Sequence, residues 1–156
     1  MEPSENKHFV LRVYALIIND REQILLSDEF LFDRKMTKFP GGGMHFGEGP
    51  ADCLRREAIE EFGQPIEITG HFYTTHFFQQ ALYYKDHQLI SIYYRARFPD
   101  PIGFRVSETP FDFPPGINGS QSFRWASLQE IKKEELSFPI DRVVLQLLQH
   151  PEMPSF

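Results

Sequence analysis

Residues 42–64 read GGMHFGEGPADCLRREAIEEFGQ. Gly47-Glu48-Gly49-Pro50 is a break, and Pro50 suits the first turn of a helix because its fixed φ is helical and its missing N–H is not needed there. Ala51, Leu54, Ala58 and Phe62 then recur at helical spacing and form one apolar stripe. Gly63 supplies the expected C-terminal stop, and Pro65 forbids continuation. Glu57, Glu60 and Glu61 stand at i, i+3 and i+4, so one helix face carries three carboxylates beside the apolar stripe. Like charges this close destabilise a helix. A cation is their natural counterpart, and all-oxygen ligands select a hard one, Mg²⁺ or Mn²⁺.

An acidic triplet alone is usually a solvated helix face. Here it belongs to a longer pattern. Gly42, Glu48, Arg56, Glu57, Glu60, Glu61 and Gly63 fit Gly-x5-Glu-x7-Arg-Glu-U-x-Glu-Glu-x-Gly-U, where U is apolar. Ala58 fills the first U, and the last is the polar Gln64. At ordinary residue frequencies such a coincidence has a probability on the order of 10⁻⁸. The segment resembles the defining box of the Nudix hydrolases.

The resemblance implies an α/β fold: an α/β/α sandwich around a mixed β-sheet, with the box as loop-helix-loop. It implies metal-dependent hydrolysis of a pyrophosphate bond in a nucleoside diphosphate linked to another moiety, such as a nucleotide, nucleotide sugar or dinucleotide. Glu57, Glu60, Glu61 and the Gly41 carbonyl would hold the metal, Mg²⁺ or Mn²⁺. Glu60 or Glu61 would assist as base, and Glu48 would pair with Arg56 to steady the loop. Some subgroups place a further carboxylate just before the late strand. Residues 118–121 (NGSQ) offer none there, which leaves Glu108 and Asp112 as candidates. The alternative is a non-catalytic Nudix domain that senses a nucleotide; such domains commonly have a degraded box, whereas every charged position is kept here.

Outward from the box, Phe39-Pro40-Gly41 matches the family's lead-in. Residues 8–18 (HFVLRVYALII) read as a buried strand returning through a turn at 19–22 to a second, 23–27, as a hairpin. Residues 66–78 and 88–98 read as strands with a turn at 85–87, and 122–126 as a short strand. Ser127 is placed to cap a short helix at 128–131. Pro139 opens a last helix with Val143, Val144, Leu147 and Leu148 inward. The Pro-rich stretch 99–118 is long for a structureless loop, and such loops are uncommon unless functional. The reading is one domain over 7–150, with loose tails at 1–6 and 151–156.

The chain has 156 residues, with 16 Lys and Arg against 22 Asp and Glu, a formal charge of −6. That balance argues against nucleic acid and against docking on an anionic membrane. No segment has a membrane span's apolar length, and the N-terminus lacks a signal peptide's pattern. One cysteine, Cys53, excludes an internal disulfide framework, so the expected setting is cytoplasmic. Cys53 itself reads as a small buried apolar residue. The partner is a small phosphorylated molecule. Aromatic residues crowd 72–98, which suits sheet core, a homodimer face or a surface for stacking a base. The absence of proline between Pro65 and Pro99 weighs against ADP-ribose pyrophosphatases. No substrate-binding residue is singled out.

Overall fold

The computed structural model describes residues 7–153, so the expected tail 1–6 and the last three residues of the 151–156 tail lie outside the described residues. The elements are β1 (His8–Ile17), β2 (Gln23–Leu31), β3 (Arg34–Lys38), β4 (Gly41–Gly43), α1 (Pro50–Phe62), β5 (Glu67–Thr74), β6 (His87–Arg97), β7 (Val106–Ser107), β8 (Ser120–Ser127) and α2 (Pro139–Gln149). They form two four-stranded sheets, β4-β1-β6-β5 and β3-β2-β8-β7, where one mixed sheet was expected. Each is mixed: β1 runs parallel to β6 and β7 parallel to β8, the other pairs being antiparallel.

Strand β1 explains why there are two helices. Side chains alternate across a strand, and both faces of β1 are apolar. Val13, Ala15 and Ile17 face one core with Leu54, Ala58 and Phe62 of α1. Tyr14 and Leu16 face the other, with Ile140, Val144, Leu147 and Leu148 of α2. The helices therefore cover opposite sides of the β layers. Of the expected α1 stripe, Leu54, Ala58 and Phe62 are buried; Cys53 joins them and Ala51 is half-buried.

The expected β1–β2 hairpin is joined at its base, by an Ile18–Ile24 bridge and by the Asn19 N–H, which donates to the Gln23 carbonyl at 2.9 Å. Each strand has a longer partner elsewhere: ten residues of β1 register with β6 and eight of β2 with β8. The tight hairpin is β2–β3, whose two turn residues, Phe32 and Asp33, take positive φ of 53° and 56°. The helix expected at 128–131 is a single turn in which the Ser127 carbonyl accepts from Glu130 and Ile131 N–H groups, followed by a 3-10 turn at Lys133–Glu135. Ile131 and Leu136 are both buried, and this double anchor draws the chain away from a helical path. The Pro-rich stretch carries β7, and its Phe104 packs on Phe62 and Phe123, closing the core at the end of α1. Among the described residues, no helix is long and apolar enough to cross a membrane.

One buried acid lies between α2 and the sheet. Asp141 is 1% exposed; its Oδ1 accepts from Tyr93 Oη at 2.5 Å, while Oδ2 has no described partner. Burial pushes its carboxyl from 3.8 up to about 6, against the opposing pull of Tyr93, Lys38 and Arg12. The folded state therefore holds this proton more tightly than the unfolded chain. The contribution to stability is present in full below pH 3.8 and is lost as pH rises through about 6, amounting to up to about 3 kcal/mol. Replacing Asp141 by Asn removes the titration. In thermal melts at pH 5 and pH 8, the variant should lose less stability across the interval than wild type; an unchanged pH dependence would contradict the assignment.

Candidate active site

The α1 carboxylates lie against the backbone of β4. In β4, Gly41 has φ 147°, and a Cβ there would overlap the Val13 carbonyl of β1. Only glycine allows β4 to lie this close to β1. A Cβ at Gly42 would overlap the Glu57 carboxylate. The glycines thus bring the main chain of β4 directly beneath the acidic face of α1.

Arg56 organises that face. Its Nε and Nη2 donate to the two oxygens of Glu48 at 3.0 and 2.8 Å, and Nη2 also donates to the Gly43 carbonyl at 2.9 Å. Nη1 donates to Glu57 at 3.2 Å and to Glu60 at 3.1 Å. A guanidinium suits this because its planar fork serves several acceptors without losing charge. Hydrogen bonding from Arg56, then from the His45 N–H, holds the Glu48 carboxyl down at about 2. Glu48 also ties the His45 N–H at 2.7 Å, so the loop before α1 is fastened to the helix. Cys53 is fully buried, and burial pushes its thiol up to about 12, leaving it protonated and inert.

Glu61 stands apart from Arg56. Burial, against the pull of Lys38 and with repulsion from Glu29 and Glu57, pushes its carboxyl up to about 7. Its Oε1 accepts from Gln121 Nε2 at 3.3 Å, and the same amide donates to Ser27 Oγ at 2.9 Å. Ser27 Oγ donates to Glu29 Oε2 at 2.9 Å, and Lys38 Nζ lies 3.0 Å from that oxygen. Lys38 Nζ also donates to the Gly41 carbonyl at 3.2 Å. A chain of polar contacts therefore runs from Glu61 across β8 and β2 to the carbonyl of β4. Gln121 faces Glu29 in the β2–β8 register.

Glu108 and Asp112 are not brought to this face. Asp112 pairs with Arg105 at 2.6 Å in the exposed stretch before β8, and Glu108 is exposed beside it. The outlying carboxylate that couples to Glu61 is Glu29. Three site residues escaped sequence reading: Arg12, Glu29 and Lys38. Arg12 did carry a signal, being a lone charge inside the apolar run 8–18. Glu29 and Lys38 had none, because it took the β2–β3 turn to bring them together.

Beside this chain opens a cavity of about 130 Å³. Its walls are largely apolar, with Met36, Leu89 and Ile140 among them; Phe32, Tyr83 and Phe138 add aromatic surface, and Arg12, Glu29 and Lys38 form its polar end. The aromatic cluster thus divides by role. Tyr73 and Tyr93 are core, Phe98 packs on Phe62, and Tyr83 and Tyr84 line the cavity. His71, His76 and His87 bond to Thr74, Tyr73 and the Lys85 carbonyl.

As they stand, no three His, Cys, Asp or Glu side chains among the described residues converge into a metal centre. Arg56 neutralises Glu57 and Glu60 instead. The donor chemistry nevertheless suits a hard divalent cation: all donors are oxygens, Gly42 leaves the Glu57 carboxylate against the β4 backbone, and the half-buried Glu61 carboxyl has no ion pair among the described residues.

No curated protein sequence matches the chain. Among solved structures, a NUDIX hydrolase from Nitrosomonas europaea superposes with a TM-score of 0.65 at 18% identity, covering 94% of this chain and 93% of that one. A MutT protein from Methanosarcina mazei Go1 gives 0.62 at 18%, covering 97% and 100%. A UDP-X diphosphatase gives 0.63 at 16%, covering 94% of this chain and 65% of its own. These likenesses concern the fold. The NUDIX domain model itself matches residues 8–148, nearly the whole chain, and with the box geometry above it shows that the protein belongs to the Nudix hydrolase family.

Proposed function

We propose that the protein hydrolyses a pyrophosphate bond in a nucleoside diphosphate derivative, with the acidic face of α1 as its metal-binding surface. The observation that carries this is the intact carboxylate set held against the β4 backbone, next to a cavity with an aromatic wall and a cationic end. Glu57, Glu60, Glu61 and the Gly41 carbonyl would hold Mg²⁺ or Mn²⁺, which when bound lowers the pKa of water and stabilises charge on the phosphate oxygens.

The protein's own groups divide the remaining tasks. Glu48 and Arg56 fix the loop and the helix in register and hold Glu57 and Glu60 in position. Glu60 or Glu61 would take a proton from an attacking water. The cavity shelters the organic part of the substrate among Met36, Phe32, Tyr83 and Phe138, where a planar base gains by stacking. Water attack on phosphorus then splits the P–O–P bridge. The donors favour Mg²⁺ or Mn²⁺ over softer metals, and the aromatic wall favours a nucleotide, nucleotide sugar or dinucleotide as substrate.

Three measurements test this. Purified protein with Mg²⁺ or Mn²⁺ should release phosphorylated products from at least one member of a panel of nucleoside triphosphates, nucleotide sugars and dinucleotides. Glu60→Gln should then lower kcat at least ~100-fold, since even residues that only orient metal ligands are worth 10–100-fold; full activity in that variant would contradict the assignment. Gly42→Ala should fold, because the carboxylate end of Glu57 can swing aside. It should nonetheless lower activity at least ~10-fold by displacing that carboxylate. Wild-type turnover in the alanine variant would show that Glu57 need not lie against β4.

A further inference from the structure

Lys38 ends β3 and is 5% exposed. Burying an ammonium is costly, and a buried ion pair seldom stabilises a fold more than an apolar pair of the same size. Packing alone therefore gives little reason for this residue. Its ammonium is paired with Glu29, Nζ lying 3.0 Å from Oε2. Three features mark its place. It lines the polar end of the cavity. It bonds the Gly41 carbonyl, which belongs to the donor set assigned above to a cation. It also lies over the Tyr14 ring, 5.5 Å from the centroid.

Among the cavity's lining residues the cations are Lys38 and Arg12. Arg12 donates through Nε to Tyr14 Oη at 2.7 Å, and no other hydrogen bond from its side chain is found among the described residues. A substrate whose organic part fills the cavity must lead its phosphates past this pair to reach α1. There it meets Glu29, Glu57 and Glu61, and each phosphate oxygen needs a positive neighbour. Once the Gly41 carbonyl serves another cation, Lys38 has a donor free.

We infer that Lys38 contacts the substrate, its ammonium binding a phosphate oxygen at the junction between cavity and carboxylate face, with Glu29 as the tether that aims it. A lysine suits this role because it is a compact point charge on a flexible stem. The inference rests on the proposed reading of the site, but its test does not require turnover.

The test is calorimetric binding of imidodiphosphate, a pyrophosphate analogue with a P–N–P bridge, in the presence of Mn²⁺. Wild type is compared with Lys38→Met and with the double variant Lys38→Met/Glu29→Gln. The double variant removes one positive and one negative charge, so the net charge of the site is kept and a folded protein is retained even if an unpaired Glu29 proves harmful. Mn²⁺ alone should bind the double variant within about threefold of wild type, whereas imidodiphosphate should bind about 10- to 100-fold more weakly, the worth of one charge-assisted hydrogen bond. Equal imidodiphosphate affinity in wild type and the double variant would overturn the inference by reducing Lys38 to a counter-charge for Glu29. Failure of wild type to bind the analogue would overturn it too. If wild type hydrolyses nothing in the substrate panel yet shows the expected loss, Lys38 keeps its role and the hydrolytic reading falls.

Discussion

Three carboxylates on one helix face repel one another, and the architecture around α1 follows from how that repulsion is met. Arg56 answers part of it from within the helix. It grips Glu48 with a two-pronged contact, binds the Gly43 carbonyl, and reaches Glu57 and Glu60 with its remaining donors. One guanidinium cannot neutralise four acids. Glu61 is left outside its reach, with the pull of Lys38 set against burial and the repulsion of Glu29 and Glu57. The unmet charge is a property of the fold rather than an accident of the surface, because burial makes it expensive. Uncompensated negative charge at an oxygen-lined face is what the proposed cation site rests on.

Rigidity comes from β1. Its two apolar faces commit α1 and α2 to opposite sides, and its register with β4 fixes where the glycine backbone runs. Gly41 accepts a backbone angle and a closeness to Val13 that a side chain would forbid. The carbonyl of Gly41 accepts from Lys38. Function and fold meet at this strand: the residues that make it a good core strand are also those that set the distance between the β4 backbone and the acidic face.

The box was legible because its signals are local. Pro50, Gly63 and the apolar stripe set the limits of α1, and the spacing of Glu57, Glu60 and Glu61 set their common face. The last helix was legible for the same reason, through Pro139 and its inward Val144, Leu147 and Leu148. Non-local pairing was not. The segment 28–38 contains the hairpin that places Lys38 against Glu29, and its turn, Phe32-Asp33, lacks the glycine that usually marks one. The β1–β2 turn was visible in sequence, but not the divergence of the two strands into separate sheets, which depends on partners about 80 to 100 residues away. Likewise Glu108 and Asp112 drew attention by proximity in sequence, whereas it is Glu29, on another strand, that couples to Glu61. The local acidity is the same in both views: five acids and two bases between Glu48 and Glu61 account for −3 of the chain's −6.

In the proposed function, the acidic face of α1, with the β4 backbone, is a divalent-cation site. Titration of the protein with Mn²⁺, followed by the electron paramagnetic resonance signal of free Mn²⁺, addresses it without any assumption about substrate. Wild type should remove free Mn²⁺ from solution in a saturable manner, and a Glu57→Gln/Glu61→Gln variant, still folded, should not. A free Mn²⁺ signal in wild type that matches buffer alone would contradict it.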